Sequence, residues 1–166
     1  MEAMRILLVA GGWSTEREIS LKGAASVAKT LSERGHAVTL FDLSDGFDKL
    51  MALAGQHDVA FLNLHGQPGE DGLVQALLEH AGCPYQGAGP VGSFLALNKA
   101  ATKTLYRRSG VQTADWEFLP TRPAEDWKPS MPFPLFVKSN TGGSSIDLFR
   151  VTDEAELKEA LDTLFE

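Results

Sequence analysis

Val59-Ala60-Phe61-Leu62-Asn63-Leu64-His65-Gly66-Gln67-Pro68-Gly69-Glu70-Asp71-Gly72-Leu73-Val74-Gln75 is the stretch whose reading decides the fold. Its first four residues are an apolar run of strand length, bounded by polar residues. Leu73, Val74, Leu77, Leu78 and Ala81 then recur at helical spacing. The turn between them is polar and carries three glycines, which let a backbone come close to a ligand. A buried strand that ends in such a turn and opens a helix is where open α/β sheets bind ligands. The plain structural alternative is a tight turn whose acids, Glu70 and Asp71, sit at a helix N-terminus.

The same grammar holds on both sides of this stretch. Arg5–Ala10 reads as a strand that ends at Gly11-Gly12. Thr15 and Glu18 have the spacing of a capping box. The helix they would open carries Ala24, Val27, Ala28 and Leu31 on one face and stops near Gly35. Ala37–Phe41 is a second strand, Asp45-Gly46 a turn, and Phe47, Leu50, Met51 and Ala54 suit a short helix. Strands alternating with helices over short connections predict a Rossmann-like, doubly wound parallel sheet over residues 1–89. No dinucleotide fingerprint follows the first strand, because the next glycine after Gly12 is Gly23.

From residue 90 the pattern changes. Val91–Leu97 is a helical turn, and Asn98 can cap a helix that runs to about Arg108. Trp116–Leu119 reads as a strand, and the proline-rich residues 121–134 as an irregular excursion. Leu135–Lys138 and Leu148–Val151 read as paired strands around Gly142-Gly143-Ser144-Ser145. Asp153 and Glu156 start a last helix.

Composition narrows the function classes. A net charge of −7 over 166 residues argues against nucleic acid and anionic membrane surfaces as main partners. It leaves room for a phosphate ligand, which needs only a local set of donors. A single cysteine, Cys83, excludes an internal disulfide framework and fits a reducing cytoplasm. No apolar run reaches the ~18 residues of a membrane span.

Several residues invite a chemical reading beside a structural one. Glu16 stands at a helix start, where its charge favours the dipole. His65 alone would serve as a turn histidine. Lys99 in the first turn of a helix opposes the dipole, and a nearby phosphate would reverse that sign. Lys138 emerges from an apolar strand and needs an anion or an exit to water. Gly142-Gly143-Ser144-Ser145 can turn successive N–H groups toward phosphate oxygens, although no Walker A lysine follows. Lys103 reads as a solvated helix residue.

Taken together, Gly11–Leu21, His65–Gly72, Cys83–Gly87, Leu97–Lys103 and Phe136–Ser145 resemble, in this order and at these intervals, the D-alanine–D-alanine ligase family of the ATP-grasp superfamily. The resemblance runs from about Met4 to the end. It implies a substrate-binding domain over 1–89 and the first part of an ATP-grasp domain over 90–166. It implies ATP-dependent joining of two D-alanines through an acyl phosphate, for peptidoglycan synthesis in a bacterial cytoplasm. Glu16 would hold the ammonium of the first D-alanine, with His65 beside it. Lys99 and Lys138 would meet the nucleotide phosphates, under a loop that includes Gly143, Ser144 and Ser145. Ser144 would link through a tyrosine to Glu16, so Glu16 and Ser144 form the catalytic pair.

The resemblance also implies ligands for Mg²⁺ and an oxyanion arginine in a later segment, and a homodimer. Family members are longer than this chain, so the sequence reads as part of a ligase, inactive alone. A second reading is a stand-alone module that binds amino acids or a protein. A third is a ligase that takes D-lactate as its second substrate. Three positions depart from the family: Ser139 where proline is usual, Gly142 where an acid is usual, and Asp147 where glycine is usual.

Overall fold

The computed structural model describes residues 2–143 and 146–166. The chain divides into two compact units, one reaching Phe94 and one starting at Leu95.

In the first unit the order is β1 (Arg5–Ala10), α1 (Arg17–Glu33), β2 (Ala37–Asp42), a 3-10 turn (Leu43–Asp45), α2 (Phe47–Ala54), β3 (Val59–Leu62), α3 (Leu73–His80) and the start of α4 (Pro90–Leu97). Its strands form a parallel sheet in the order β2-β1-β3. The central strand is buried from Ile6 to Ala10, as a strand covered on both faces must be. Leu8 and Ala10 pack with Ala24 of α1 on one face. Leu7 and Val9 pack with Leu50, Val74 and Leu78 of α2 and α3 on the other. The fold is therefore the doubly wound α/β arrangement expected.

The outer edge of β3 is closed by the segment after α3. Ala60 N donates to Pro84 O at 2.7 Å. The Gln86 amide then pairs with both backbone groups of Leu62, at 2.8 and 2.7 Å. A side chain thus completes the ladder that an edge strand leaves open.

Helix α1 ends as its sequence predicts but does not begin so. His36 N donates to Leu31 O and Gly35 N to Ser32 O, the paired bonds of a Schellman motif, with Gly35 at φ 88°. At its start the predicted capping box is absent: the cap residue is Glu16, with no side-chain cap bond. Ser14 makes the turn instead. Its hydroxyl accepts from Glu16 N and its carbonyl from Arg17 N, at 3.2 and 3.1 Å. Local hydrogen bonding by serine competes with helix geometry and takes the place of the box.

Asp42 closes the C-terminal end of β2. It accepts from Gly12 N at 3.1 Å, from Ser44 N at 2.9 Å and from the Ser44 hydroxyl at 2.8 Å, and pairs with Arg17. Burial pushes its carboxyl up, but the backbone N–H groups of Gly12 and Ser44, the Ser44 hydroxyl and Arg17 outweigh that and bring it down to about 2. A carboxyl lowered from 3.8 stabilises the fold above its unfolded value, and this is lost as pH falls toward about 2. We expect Asp42→Asn to remove at most about 2 kcal/mol of that acid dependence. Urea midpoints at pH 5 and pH 2.5 check it: the drop between them shrinks in the variant.

The second unit contains the end of α4, α5 (Lys99–Arg108), β4 (Leu135–Lys138), β5 (Leu148–Val151) and α6 (Glu154–Leu164). β4 and β5 pair antiparallel, with Lys138 opposite Leu148. Leu135, Val137, Phe149 and Val151 face Leu157 and Ala160 of α6. The alternate residues Phe136, Lys138, Leu148 and Arg150 are exposed. Asp153 caps α6, accepting from Ala155 N and Glu156 N, both at 2.9 Å.

The predicted strand at Trp116–Leu119 is not a strand. A strand needs a paired neighbour, and no described residue forms a ladder with this run. Its groups are used otherwise. The Trp116 ring lies under Lys103 and Arg107, 5.4 and 4.3 Å from centroid to cation. Glu117 accepts from Ser130 N at 2.7 Å.

Candidate functional site

In the first unit, the turns after β1 and β3 bring Glu16 to the segment that begins at His65. A methyl group at Gly66 would lie 3.9 Å from Glu16 Oε2 and 3.2 Å from Ser14 Cβ. Glu70 Oε2 accepts from Gly66 N at 2.8 Å, and Glu70 N donates to Gly66 O at 2.8 Å. Two carboxylates therefore flank one glycine, with half-buried His65 next to it in sequence. The turn is fixed from beneath by buried Gln75, whose Nε2 donates to Gly69 O at 2.8 Å. Gly72 is the cap residue of α3 and has no side-chain cap bond, while Asp71 Oδ1, one residue before it, accepts from Leu73 N at 3.0 Å. A pair of acids around a small residue suits a compact cation such as an ammonium.

In the second unit, three lysines gather. Lys99 and Lys103 are four residues apart on one face of α5, and both feel the charge of Lys138. Burial first, and Lys138 second, push the Lys99 ammonium below its ordinary value. Burial, then Lys138 and Arg107, do the same to Lys103, against a smaller opposing effect of Asp115. Lys138 itself reaches water at the end of β4. Lys103 is not the solvated residue expected: its ammonium donates to Thr113 Oγ1 at 2.9 Å and Ala114 O at 2.8 Å. Its spacing from Lys99 is the one signal in the sequence that pairs them. Ammoniums held low by burial and a neighbouring positive charge, as Lys99 and Lys103 are, gain when an anion arrives.

The N-terminus of α5 is capped from two segments. Asn98 Oδ1 accepts from Ala101 N at 2.9 Å, Asn140 O from Lys99 N at 3.0 Å, and Asn140 Oδ1 from Ala100 N at 2.9 Å. Lys99 Nζ turns to the carbonyls of Asn140 and Gly142.

Two of the sequence departures explain each other. Ser139 Oγ accepts from Gly142 N at 3.1 Å, and a Cβ on residue 142 would stand 3.0 Å from Ser139 Cβ. Serine at 139 and a side chain at 142 would crowd one another. Asp147 has φ 55°, a left-handed conformation that glycine takes freely and aspartate tolerates. Gly143 is exposed, with its carbonyl accepting from Ile146 N at 3.0 Å. Ser144 and Ser145 lie outside the described residues.

Two family models match the chain: "D-ala D-ala ligase N-terminus" over residues 45–88 and "D-ala D-ala ligase C-terminus" over residues 104–166. The chain belongs to the D-alanine–D-alanine ligase family. It is 60% identical over 162 residues to a D-alanine–D-alanine ligase of Desulfovibrio desulfuricans, covering 98% of this chain and 53% of that protein. A Lawsonia intracellularis ligase is 54% identical, with 98% and 54% covered. Among solved structures, the D-alanine–D-alanine ligase of Bacillus anthracis superposes with a TM-score of 0.88 at 36% identity, covering 98% of this chain and 54% of that one. A structure of the Bacillus anthracis enzyme complexed with ATP gives 0.85 at 34% identity, with 98% and 55% covered. The chain thus spans about half the length of the ligases it matches. The ATP-grasp assignment of its fold follows from these neighbours.

Proposed function

We propose that this chain works within an ATP-dependent ligase that joins two D-alanines. The observation that carries this is the set of acids around Gly66, formed by a chain so similar to known ligases. Residues 1–89 are the substrate-binding domain in this reading, and 90–166 the first part of the nucleotide-binding domain. A carboxylate oxygen of the first D-alanine attacks the γ-phosphorus of ATP, and ADP leaves. The amine of the second D-alanine then attacks the acyl phosphate carbonyl, losing a proton as phosphate departs. Glu16 holds the first substrate's ammonium, and His65 orients it. Lys99 and Lys138, with the backbone of Gly143, Ser144 and Ser145, oppose the phosphate charge. Ser144 is the second catalytic residue of this reading, beside Glu16 in role. The intact ligase is a cytoplasmic homodimer that serves peptidoglycan synthesis.

Mg²⁺ would be expected for such a phosphoryl transfer. Among the described residues no three His, Cys, Asp or Glu side chains cluster to hold it. What this chain's own residues supply is binding, orientation and lysine charge. We accordingly expect no D-alanine-dependent phosphate release from the 166-residue chain with ATP and Mg²⁺; turnover at a ligase-like rate would contradict the division of labour.

Binding tests the reading itself. Titration with D-alanine should move the amide resonances of Ser14, Gly66 and Glu70 saturably, and L-alanine should move them less. Glu16→Gln should shift the midpoint of that response to roughly 30-fold higher D-alanine. Indifference of these amides to both enantiomers would overturn the substrate assignment.

A further inference from the structure

We propose that Asn140 is a positioning residue that fixes the Lys99 ammonium relative to the end of β4 and aims it at a nucleotide's phosphates. This rests on the nucleotide reading above. Asn140 lies two residues beyond Lys138 and 40 beyond Ala100, yet it joins the two lysines' elements. Its carbonyl accepts from Lys99 N at 3.0 Å and from Lys99 Nζ at 3.4 Å. Its side-chain Oδ1 accepts from Ala100 N at 2.9 Å. A helix N-terminus ordinarily leaves such donors to water or to an anion. Here Asn140 closes the first two and Asn98 the third, so the helix end is a fixed mount, and the anion-facing group is the lysine side chain it carries.

The ammonium has three donors. Two point to the carbonyls of Asn140 and Gly142, and the third is left for a phosphate oxygen. Removing Oδ1 leaves Ala100 N without its partner and lets the first turn of α5 fray. The direction of that third donor is then no longer set.

Inorganic tripolyphosphate is the probe, because it carries the phosphate chemistry without the base. Its affinity for the 166-residue chain is followed by calorimetry and by the Lys99 and Lys138 side-chain resonances. Asn140→Ala should weaken binding about tenfold, the equivalent of one charge-assisted hydrogen bond. It should also speed exchange of the Ala100 amide, and Asn140→Asp, which keeps the acceptor, should restore that protection. The Asn140→Ala/Lys99→Ala double variant should bind no worse than Lys99→Ala, because Asn140 acts through Lys99. If Asn140→Ala does not fold, the same cycle uses Asn140→Ser, whose hydroxyl falls short of Ala100. Additive losses, or unchanged affinity in the Asn140 variant, would overturn the proposal alone. An unsubstituted chain whose lysines ignore tripolyphosphate would overturn the nucleotide reading, and the proposal with it.

Discussion

Gly72→Ala is expected to destabilise the first unit severely. Gly72 has φ 94°, and an added Cβ would lie 2.3 Å from Pro90 O, 2.9 Å from Pro90 C and 3.0 Å from Pro90 Cα. These are backbone atoms of the start of α4, so no side chain can swing aside. The left-handed conformation costs alanine about 1–2 kcal/mol, and overpacking adds roughly 1–3 kcal/mol. Together they are a large part of the ~5–15 kcal/mol that holds a domain folded. Gly35→Ala is the control. It shares a positive φ, at 88°, but a Cβ there meets nothing within 4 Å. Urea unfolding should show Gly35→Ala losing only the backbone part, and Gly72→Ala clearly more. Equal losses would mean that the approach of Pro90 to Gly72 is not felt.

Glu16→Gln should give the largest effect on substrate use. It keeps shape and removes charge, in a half-buried position beside Gly66. A hydrogen bond to a charged group contributes about 2 kcal/mol, so the KM for the first D-alanine should rise roughly 30-fold. The measurement needs turnover, and so a hybrid in which residues 1–166 precede the remaining half of the Desulfovibrio desulfuricans ligase. The KM for ATP should stay near that of the unsubstituted hybrid. If ATP and D-alanine kinetics suffer equally, Glu16 is a residue of the helix start and not of the substrate site.

Much of this architecture is legible in the sequence, for identifiable reasons. β3 and α3 follow from the sequence because their apolar spacing is local and unambiguous: Val59–Leu62 and Leu73–His80 are where the pattern puts them. Glu70 and Asp71 shape the turn before α3 by accepting from Gly66 N and Leu73 N, although the cap residue itself is Gly72. Expectation and structure part where a competing contact decides. The capping box at Thr15 loses to Ser14, whose two oxygens take the donors at the helix start. Trp116–Leu119 has strand composition but no ladder among the described residues, and its ring serves Lys103 and Arg107.

The candidate site divides the same way. Glu16, His65, Lys99 and Lys138 can be picked out as residue types at the ends of elements. The proximity of Glu16 to Gly66, and the clip formed by Asn140, depend on segments about 40 to 50 residues apart meeting, which no periodicity encodes. Lys103 escapes a sequence reading because a helical lysine is usually solvated, and only the fold brings Thr113 and Ala114 to it.

In the proposed function these 166 residues carry a working first-substrate and phosphate-binding half of a D-alanine ligase. The same hybrid tests this most directly, with no substitution in it. The predicted result is ADP and phosphate formation that depends on D-alanine, with D-alanyl-D-alanine as product. A folded hybrid that consumes no ATP in the presence of D-alanine, beside an active parental ligase, would contradict it.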